Sequence, residues 1–320
     1  MSILEKIFSV KNMDCHKVWT VCGIKMKFLN TSAKINKFET QLNEFISQNQ
    51  LQMLDIDAKI SHINNIILER LNNSDLKHFQ IKLETYRAIP QLHTKIFKPY
   101  QNIYTEKNIY IIATGPTLKY FKQIEDGVYI GVNKSFLTDI KLKYLFMQDY
   151  IATQGYIEMA NDYPCVKFYG KFVNPNLENH IGIPQKIREK ANAKSYYNNF
   201  PSKEIFYDIE NNALMDFTSV TFAAIHFALY TGSKKIHLVG CDCSNNGYYD
   251  NTNQNSKMDV EYTMQGYNKL KEFCSLYYPD VEIISVNPIG LKGLFKDIYT
   301  EEFLHEHPDI ARDSVEILSV

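Results

Sequence analysis

Four short apolar runs stop at residues able to hold a polar ligand. Ile109–Ala113 ends at Thr114-Gly115-Pro116, Tyr129–Val132 at Asn133, Tyr144–Met147 at Gln148-Asp149, and Ile236–Val239 at Gly240 with Asp242 close behind. A glycine-proline exit that opens a helix turns N–H groups toward an anion, and it is equally the form of an ordinary strand-to-helix turn. Asn133 and Gln148 each offer a donor and an acceptor, which is what reading a nucleobase edge needs, while either amide also suits a turn. Asp242 could accept from ribose hydroxyls or close a turn. In a fifth segment, Asp216-Phe217-Thr218-Ser219 leads into VTFAAIHFALYTG. There Thr218 and Ser219 would cap a buried helix, and the same hydroxyls could face a phosphate or a sugar.

These residues meet only if the elements that carry them share an edge. From about Tyr104 onward the apolar runs NIYIIAT, GVYIGVN, KYLFMQD, CVKFYG, KKIHLVGCD and VEIISVN alternate with helical stretches near 116–124, 217–231 and 260–276. That alternation predicts an α/β, Rossmann-like, mostly parallel sheet with helices on both faces, whose ligand crevice lies beyond the strand carboxyl ends.

The first part of the chain has another pattern. Residues 5–29 suggest a small hairpin of two strands around a polar turn at Lys11–His16. Leu42, Asn49, Ile56 and Ile63, interleaved with Ile46, Met53, Ile60 and Ile67, repeat every seven residues. This predicts a long helix, either a coiled coil that makes a homo-oligomer through residues 38–71 or a helix laid on its own domain. Breaks are expected at Ile89-Pro90 and Lys98-Pro99. The expected division is therefore residues 1–104, an N-terminal hairpin and helical region for oligomerisation or peripheral membrane contact, and residues 105–320, an α/β domain with the ligand crevice at its strand ends.

Composition bounds the chemistry. Over 320 residues, 35 basic and 36 acidic side chains give a net charge of -1, so wholesale attraction to nucleic acid has no support. The chain opens without the apolar core of a secretion signal, and its six scattered cysteines read as reduced thiols of a cytoplasmic protein. No run is long enough to span a bilayer, so membrane association would be peripheral. Cys241 and Cys243 lack partners at metal-ligand spacing, and His226 and His237 fall inside apolar elements as core residues. Residues 244–262, SNNGYYDNTNQNSKMDVEY, read as a lid over a bound ligand or as a plain surface loop.

The order IIATGPTL, GVNKSF, TSVTFAAIHFALYTGSKKIHLVGCD and SVNPIGL, between about Asn108 and Leu291, resembles the bacterial sialyltransferases of the lipooligosaccharide type and the related flagellin-glycosylation proteins of the Maf type. The N-terminal IFSVKN…HKVWTVCGIKMKF is also similar to a leader found on bacterial surface-glycan transferases. The resemblance implies a variant Rossmann domain and inverting transfer from a cytidine-monophosphate-activated sugar to a glycan hydroxyl, without metal or cofactor. It also implies that Thr114, Gly115, Pro116, Asn133, Gln148, Asp149, Thr218, Ser219, Gly240 and Asp242 line the nucleotide.

The sequence departs from that family in three places. Met215 and Asp216 stand where the family has a phosphate-binding arginine, which leaves Lys134 or another cation to replace it. Tyr248 and Tyr249 match the family's lid tyrosines loosely. No histidine occurs between residues 244 and 267 to serve as base, and alignment on the following helix brings Glu261 to that point, with Asp259 as the second choice. A buried carboxylate with a raised pKa would suit the task; His305 and His307 in the C-terminal segment are the alternative.

The expected function is glycosyl transfer in surface-glycan assembly, with a CMP-linked nonulosonate as donor. Asp-x-Asp occurs as Asp55-Ile56-Asp57 in the long helix and not at a strand end, which favours the metal-independent version. The alternatives are a pterin diphosphokinase-like enzyme, which would need Mg²⁺ and a cluster of cations, and a non-catalytic nucleotide-sugar-binding scaffold.

Overall fold

The computed structural model describes residues 8–13, 16–21, 24–29, 40–41, 58–59, 61–62, 65, 73–250 and 259–318. The chain divides into two compact units, Met1–Leu76 and Lys77–Val320.

In the first unit, β1 (Phe8–Met13), β2 (His16–Val21) and β3 (Ile24–Leu29) form an antiparallel meander in the register Val10↔Trp19 and Trp19↔Met26. The expected two-strand hairpin is thus a three-strand sheet. Lys11, Asn12, Met13 and His16, expected in a turn, lie in strands. Thr40, Gln41, Ala58, Lys59, Ser61, His62 and Asn65 are helical. The rest of the 38–71 heptad stretch, and with it the oligomer expectation, lies outside the described residues.

The second unit begins earlier than the boundary expected near Tyr104. Helix α1 (Asn73–Phe97) runs straight through Ile89-Pro90, where a break was expected. Proline removes one helical hydrogen bond, and burial of Ile89, Ile96 and Phe97 offsets that loss. His93, fully buried, adds a clamp. Its Nδ1 lies 2.8 Å from the Ile209 carbonyl and 3.0 Å from that of Asn212, while Nε2 accepts from the Tyr197 N–H at 2.8 Å. Burial lowers its pKa to about 4, so the ring stays neutral.

Nine parallel strands follow: β4 (Asn108–Ile112), β5 (Val128–Val132), β6 (Tyr144–Met147), β7 (Val166–Phe172), β8 (Lys194–Asn198), β9 (Lys235–Val239), β10 (Glu282–Val286), β11 (Lys296–Tyr299) and β12 (Glu316–Ile317). Their order is β12-β11-β10-β9-β4-β5-β6-β7-β8. The α/β, Rossmann-like expectation holds. Helices α2 (Tyr150–Thr153), α3 (Ile157–Asp162), α4 (Pro175–Ile181), α5 (Gln185–Lys190), α6 (Val220–Tyr230), α7 (Val260–Tyr277) and α8 (Glu301–Glu306) surround the sheet. None of the described helices is long and apolar enough to cross a membrane.

Period-two alternation splits the core. Ile109, Ile111, Val128, Ile130, Phe146 and Phe168 face a layer built on α6, whose residues are all buried. Tyr110, Ile112, Tyr129, Leu145, Met147 and Tyr169 face the other layer, with Ile157 and Ala160 of α3. Phe168 stacks on Phe146 at 4.7 Å and meets Phe227 of α6 at 5.0 Å, so the helix that begins at Thr218-Ser219 is anchored by aromatic packing.

Candidate functional site

The chain lays β4 to β8 outward in one direction, then returns to place β9 on the other side of β4. The carboxyl ends of β4 and β9 therefore form the topological switch point, the place where open parallel sheets bind ligands. Because α6 leads through a tight turn into the start of β9, its N-terminus lies at the same edge. Thr114, Gly115, Pro116, Asn133, Gln148, Asp149, Thr218, Ser219, Gly240 and Asp242 all fall on this edge.

The switch point is closely built. The Gly115 N–H donates to the Gly240 carbonyl at 2.8 Å. A Cβ on Gly115 would stand 2.3 Å from Asp242 Oδ2 and 2.5 Å from Gly240 O, so glycine is there for space. The helix expected near 116–124 is a 3₁₀ turn, Pro116–Tyr120, and its amides do not await an outside anion. The Thr117 N–H donates to Asp242 Oδ2 at 2.9 Å, and the Thr117 hydroxyl donates to Oδ1. Each carboxylate oxygen of the buried Asp242 thus holds the β4 exit, and burial raises its pKa. The ribose role expected for Asp242 competes with this structural one.

Next to it, Gln148 and Asp216 pair across the edge. Gln148 Nε2 donates to Asp216 Oδ2 at 2.7 Å, and the Tyr196 hydroxyl approaches Gln148 Oε1 at 3.5 Å. Asp216 is 1% exposed and its Oδ1 has no hydrogen-bond partner. Burial raises its pKa to about 7, against the opposing pull of the Gln148 amide and the Thr218 and Ser219 N–H groups. A second place where a phosphate was expected, the start of α6, thus already faces a carboxylate of the chain itself. Ser219 caps α6 through the Thr221 N–H, and Asp149 caps α2 through the Ala152 N–H at 3.1 Å.

Left-handed backbone gathers on this edge. Asn133, Thr218, Gly240, Cys243 and Asn287 have φ of 49°, 62°, 65°, 44° and 51°. Thr218 is β-branched, for which this conformation is a true outlier. Its hydroxyl donates to the Phe217 carbonyl at 2.6 Å and lies 3.0 Å from that of Thr263 in α7. Strain of this kind persists where surrounding contacts over-determine it, most often at ligand sites.

The loop after β9 folds over the β4 and β5 exits. The Tyr249 N–H donates to the Thr114 carbonyl at 3.1 Å, and the Tyr249 hydroxyl donates to the Lys134 carbonyl at 3.2 Å. Lys134 Nζ reaches both oxygens of Asp250 at 2.8 and 2.7 Å and sits 4.1 Å from the centre of the Tyr248 ring. Burial raises the pKa of Tyr156, with Tyr248, Asp149 and Tyr249 adding to the rise, so these groups share one neighbourhood as neutral phenols beside a carboxylate. Residues 251–258 of the expected lid lie outside the described residues.

Asp259 and Glu261 open α7, next to the Thr218 turn. Both are exposed, unlike the buried carboxylate the base role was expected to use, because the first turn of α7 presents them outward while Thr263 and Tyr267 take the core positions. Asp259 Oδ1 accepts from the Tyr262 N–H at 2.9 Å as the helix cap, which leaves Glu261 the less engaged of the two. His305 is exposed, and His307 stacks on Phe303 at 4.0 Å. His226 and His237 are buried, with pKa values lowered to about 4. Burial raises the Cys243 pKa to about 11, and among the described residues no three His, Cys, Asp or Glu side chains cluster as a metal site.

Three contributors escaped sequence reading. Asp216 stands in the segment leading into α6 with no sign that it pairs with Gln148, Tyr156 carries no local signal, and Asp250 sits in a polar loop that marks it no more than its neighbours. A shallow depression lined by Lys141, Lys143, Tyr163, Cys165 and Lys167 lies at the amino ends of β6 and β7, the opposite edge of the sheet. None of the edge residues above lines it.

No family model matches the chain, and no curated protein matches it in sequence. Among solved structures the chain is similar to the sialyltransferase CstII from Campylobacter jejuni, determined with the substrate analogue CMP-3FNeuAc, at 14% identity and a TM-score of 0.34, over 56% of this chain and 80% of that one. A likeness that distant adds no weight to the geometry.

Proposed function

We propose that the chain is a glycosyltransferase that binds a nucleotide-activated sugar at the carboxyl edge of its sheet and passes the sugar to a glycan hydroxyl, with a CMP-linked nonulosonate as the donor. The observation that carries the reading is the gathering of Thr114, Asn133, Gln148, Asp149, Thr218 and Ser219 at one switch-point edge, two of them, Asn133 and Thr218, in left-handed backbone. The motif order of the sequence supplies the donor class. Uncharged amides and hydroxyls suit a nucleoside, and the loop bearing Tyr248 and Tyr249 covers the exits where it would lie.

In this reading Glu261 is the base. The acceptor oxygen attacks the anomeric carbon from the face opposite the nucleotide, its proton passes to the Glu261 carboxylate, and the electrons of the breaking C–O bond leave with the nucleotide phosphate. The exposed start of α7 allows an acceptor glycan to approach. No step is assigned to a metal or cofactor, and the protein would act at the cytoplasmic side in surface-glycan assembly.

The test is release of CMP from CMP-activated nonulosonates with a panel of glycan acceptors, for the parent protein and Glu261→Gln. Positioned general bases contribute about 10²–10⁴ in rate, so the variant should lose turnover on that scale and keep donor affinity. Donor binding with no turnover in the parent protein would replace this reading with the non-catalytic scaffold.

A further inference from the structure

Residues 201–207, in the loop between β8 and α6, run beside α7 from one end of the helix to the other. The Tyr262 hydroxyl donates to the Pro201 carbonyl at 3.2 Å, Lys203 Nζ donates to Gln265 Oε1 at 3.2 Å, and Lys269 Nζ donates to the Lys203 carbonyl at 3.0 Å. At the far end the Tyr207 ring meets those of Tyr277 and Tyr278, with centroids 5.6 and 5.4 Å away and planes inclined by 38° and 31°. Tyr207 is 55% exposed, Tyr277 54% and Leu276 74%. Along the helix, Glu261, Gln265, Lys269, Glu272 and Leu276 recur at steps of three and four residues and are all exposed, so they form one open face beside the loop. From Glu261 to Tyr277 this face is roughly 24 Å long, the length of a short oligosaccharide.

Clustered apolar groups left in water mark a contact surface, and tyrosine suits one whose partner is apolar on one side and wet on the other. Among the described residues the hydroxyls of Tyr207, Tyr277 and Tyr278 have no hydrogen-bond partner. A pyranose matches this composition. Its C–H face packs on the negative face of an aromatic ring, and its hydroxyls find donors and acceptors in the phenols and in the heads of Lys203, Gln265 and Lys269. A second copy of the chain fits less well. Two half-exposed tyrosines and a leucine present a few hundred Å², well under the roughly 800 Å² per partner of a stable interface. An anionic membrane surface fits less well too, because Lys203 and Lys269 stand beside Glu261 and Glu272 and leave no net positive field.

We infer that α7 and residues 201–207 form a track for a chain of uncharged pyranoses, with Tyr207 and Tyr277 as the platform for a sugar far from the carboxyl edge of the sheet. Calling that chain the acceptor rests on the transferase reading above. The track then begins at Glu261, where the attacking hydroxyl loses its proton, and holds the remainder of the acceptor along the helix. A long glycan is gripped at both ends of α7. A disaccharide reaches only one of them.

The experiment is saturation-transfer NMR of the full chain with maltose, maltoheptaose, chitobiose and chitohexaose, for the parent protein, Tyr207→Ala, Tyr277→Ala and Tyr277→Phe. Each protein is shown folded by its circular dichroism melt and sized by sedimentation velocity. In at least one series the longer glycan should bind the parent protein more tightly than its disaccharide. Each alanine should weaken the longer glycan by about two- to tenfold, the scale of one aromatic contact, and Tyr277→Phe, which keeps the ring, should lose less than Tyr277→Ala. A separate arm reads the melting temperature of the parent protein with CMP. Tyrosine-dependent glycan binding without a response to CMP would uphold the track and remove the CMP-donor reading. A response to CMP without glycan binding would overturn the track and leave that reading standing. Glycan binding that neither alanine alters, or a dimer of the parent protein that the alanines dissociate, would also overturn it.

Discussion

Replacing Asp216 by asparagine should change how stability depends on pH. In the folded chain the carboxyl has a pKa raised from 3.8 to about 7, with burial as the leading cause. The unfolded chain ionises it near the ordinary value, so between these limits folding must hold a proton that the unfolded state has released. Stability contributed by this group is fully present below about pH 3.8, declines as pH rises, and is lost above about pH 7. At about 1.36 kcal/mol per pH unit the whole excursion is roughly 4 kcal/mol. For a folding unit of this size that corresponds to roughly 10 °C in Tm. Asp216→Asn keeps the volume and cannot ionise. The difference in Tm between variant and parent should therefore climb by roughly 10 °C in the variant's favour from pH 4 to pH 7 and level off beyond pH 8. Thermal melts of both proteins across pH 4–9 measure it, and the other carboxylates cancel in the difference. The offset at pH 4 reports only how well the amide packs against Gln148. A difference that stays flat from pH 4 to pH 8, or falls, would refute the argument that a buried carboxyl with a raised pKa sits at this edge.

Two further substitutions probe the same edge. Gly115→Ala puts a methyl 2.5 Å from the Gly240 carbonyl, a backbone atom that cannot swing away, and should cost about 3 kcal/mol in urea unfolding; a loss under 1 kcal/mol would show that the exits of β4 and β9 are not so tightly joined. At Thr218 the backbone is left-handed, so Thr218→Gly should be more stable than Thr218→Ala by about 1 kcal/mol, and the reverse order in urea titrations would mean that the turn relaxes out of that conformation.

Elements with strong local signals were legible in the sequence. The β4, β5, β6, β9 and β10 runs are apolar on both faces because each strand is covered twice, and α6 reads as a buried helix because it has no polar stripe. β8 reads KSYYN and β11 reads KDIY. Such short strands near the sheet's margins carry too few apolar residues to announce themselves, and β12 has two residues. Strand-end chemistry was also legible, since the edge on which Thr114, Asn133 and Gln148 fall follows from parallel topology alone. What those side chains do there was not. Gln148 spends its amide on Asp216, 68 residues away in sequence, and Lys134 meets Asp250 across 116 residues. No local pattern encodes such pairs. For the same reason the pairing of Asp242 with Thr117 has no local signature, and Pro90 looked like a helix end when core contacts carry α1 past it.

The central claim is that the carboxyl edge of the sheet binds a cytidine nucleotide without a metal. Its most direct test is the shift in melting temperature with CMP, CDP, UDP, GDP and ATP, each with Mg²⁺ and with EDTA, since a ligand of the folded state raises Tm by mass action. The account predicts a rise with CMP that EDTA leaves unchanged and that Gly115→Ala abolishes. A rise that requires Mg²⁺ and appears with ATP or a diphosphate, but not with CMP, would contradict it.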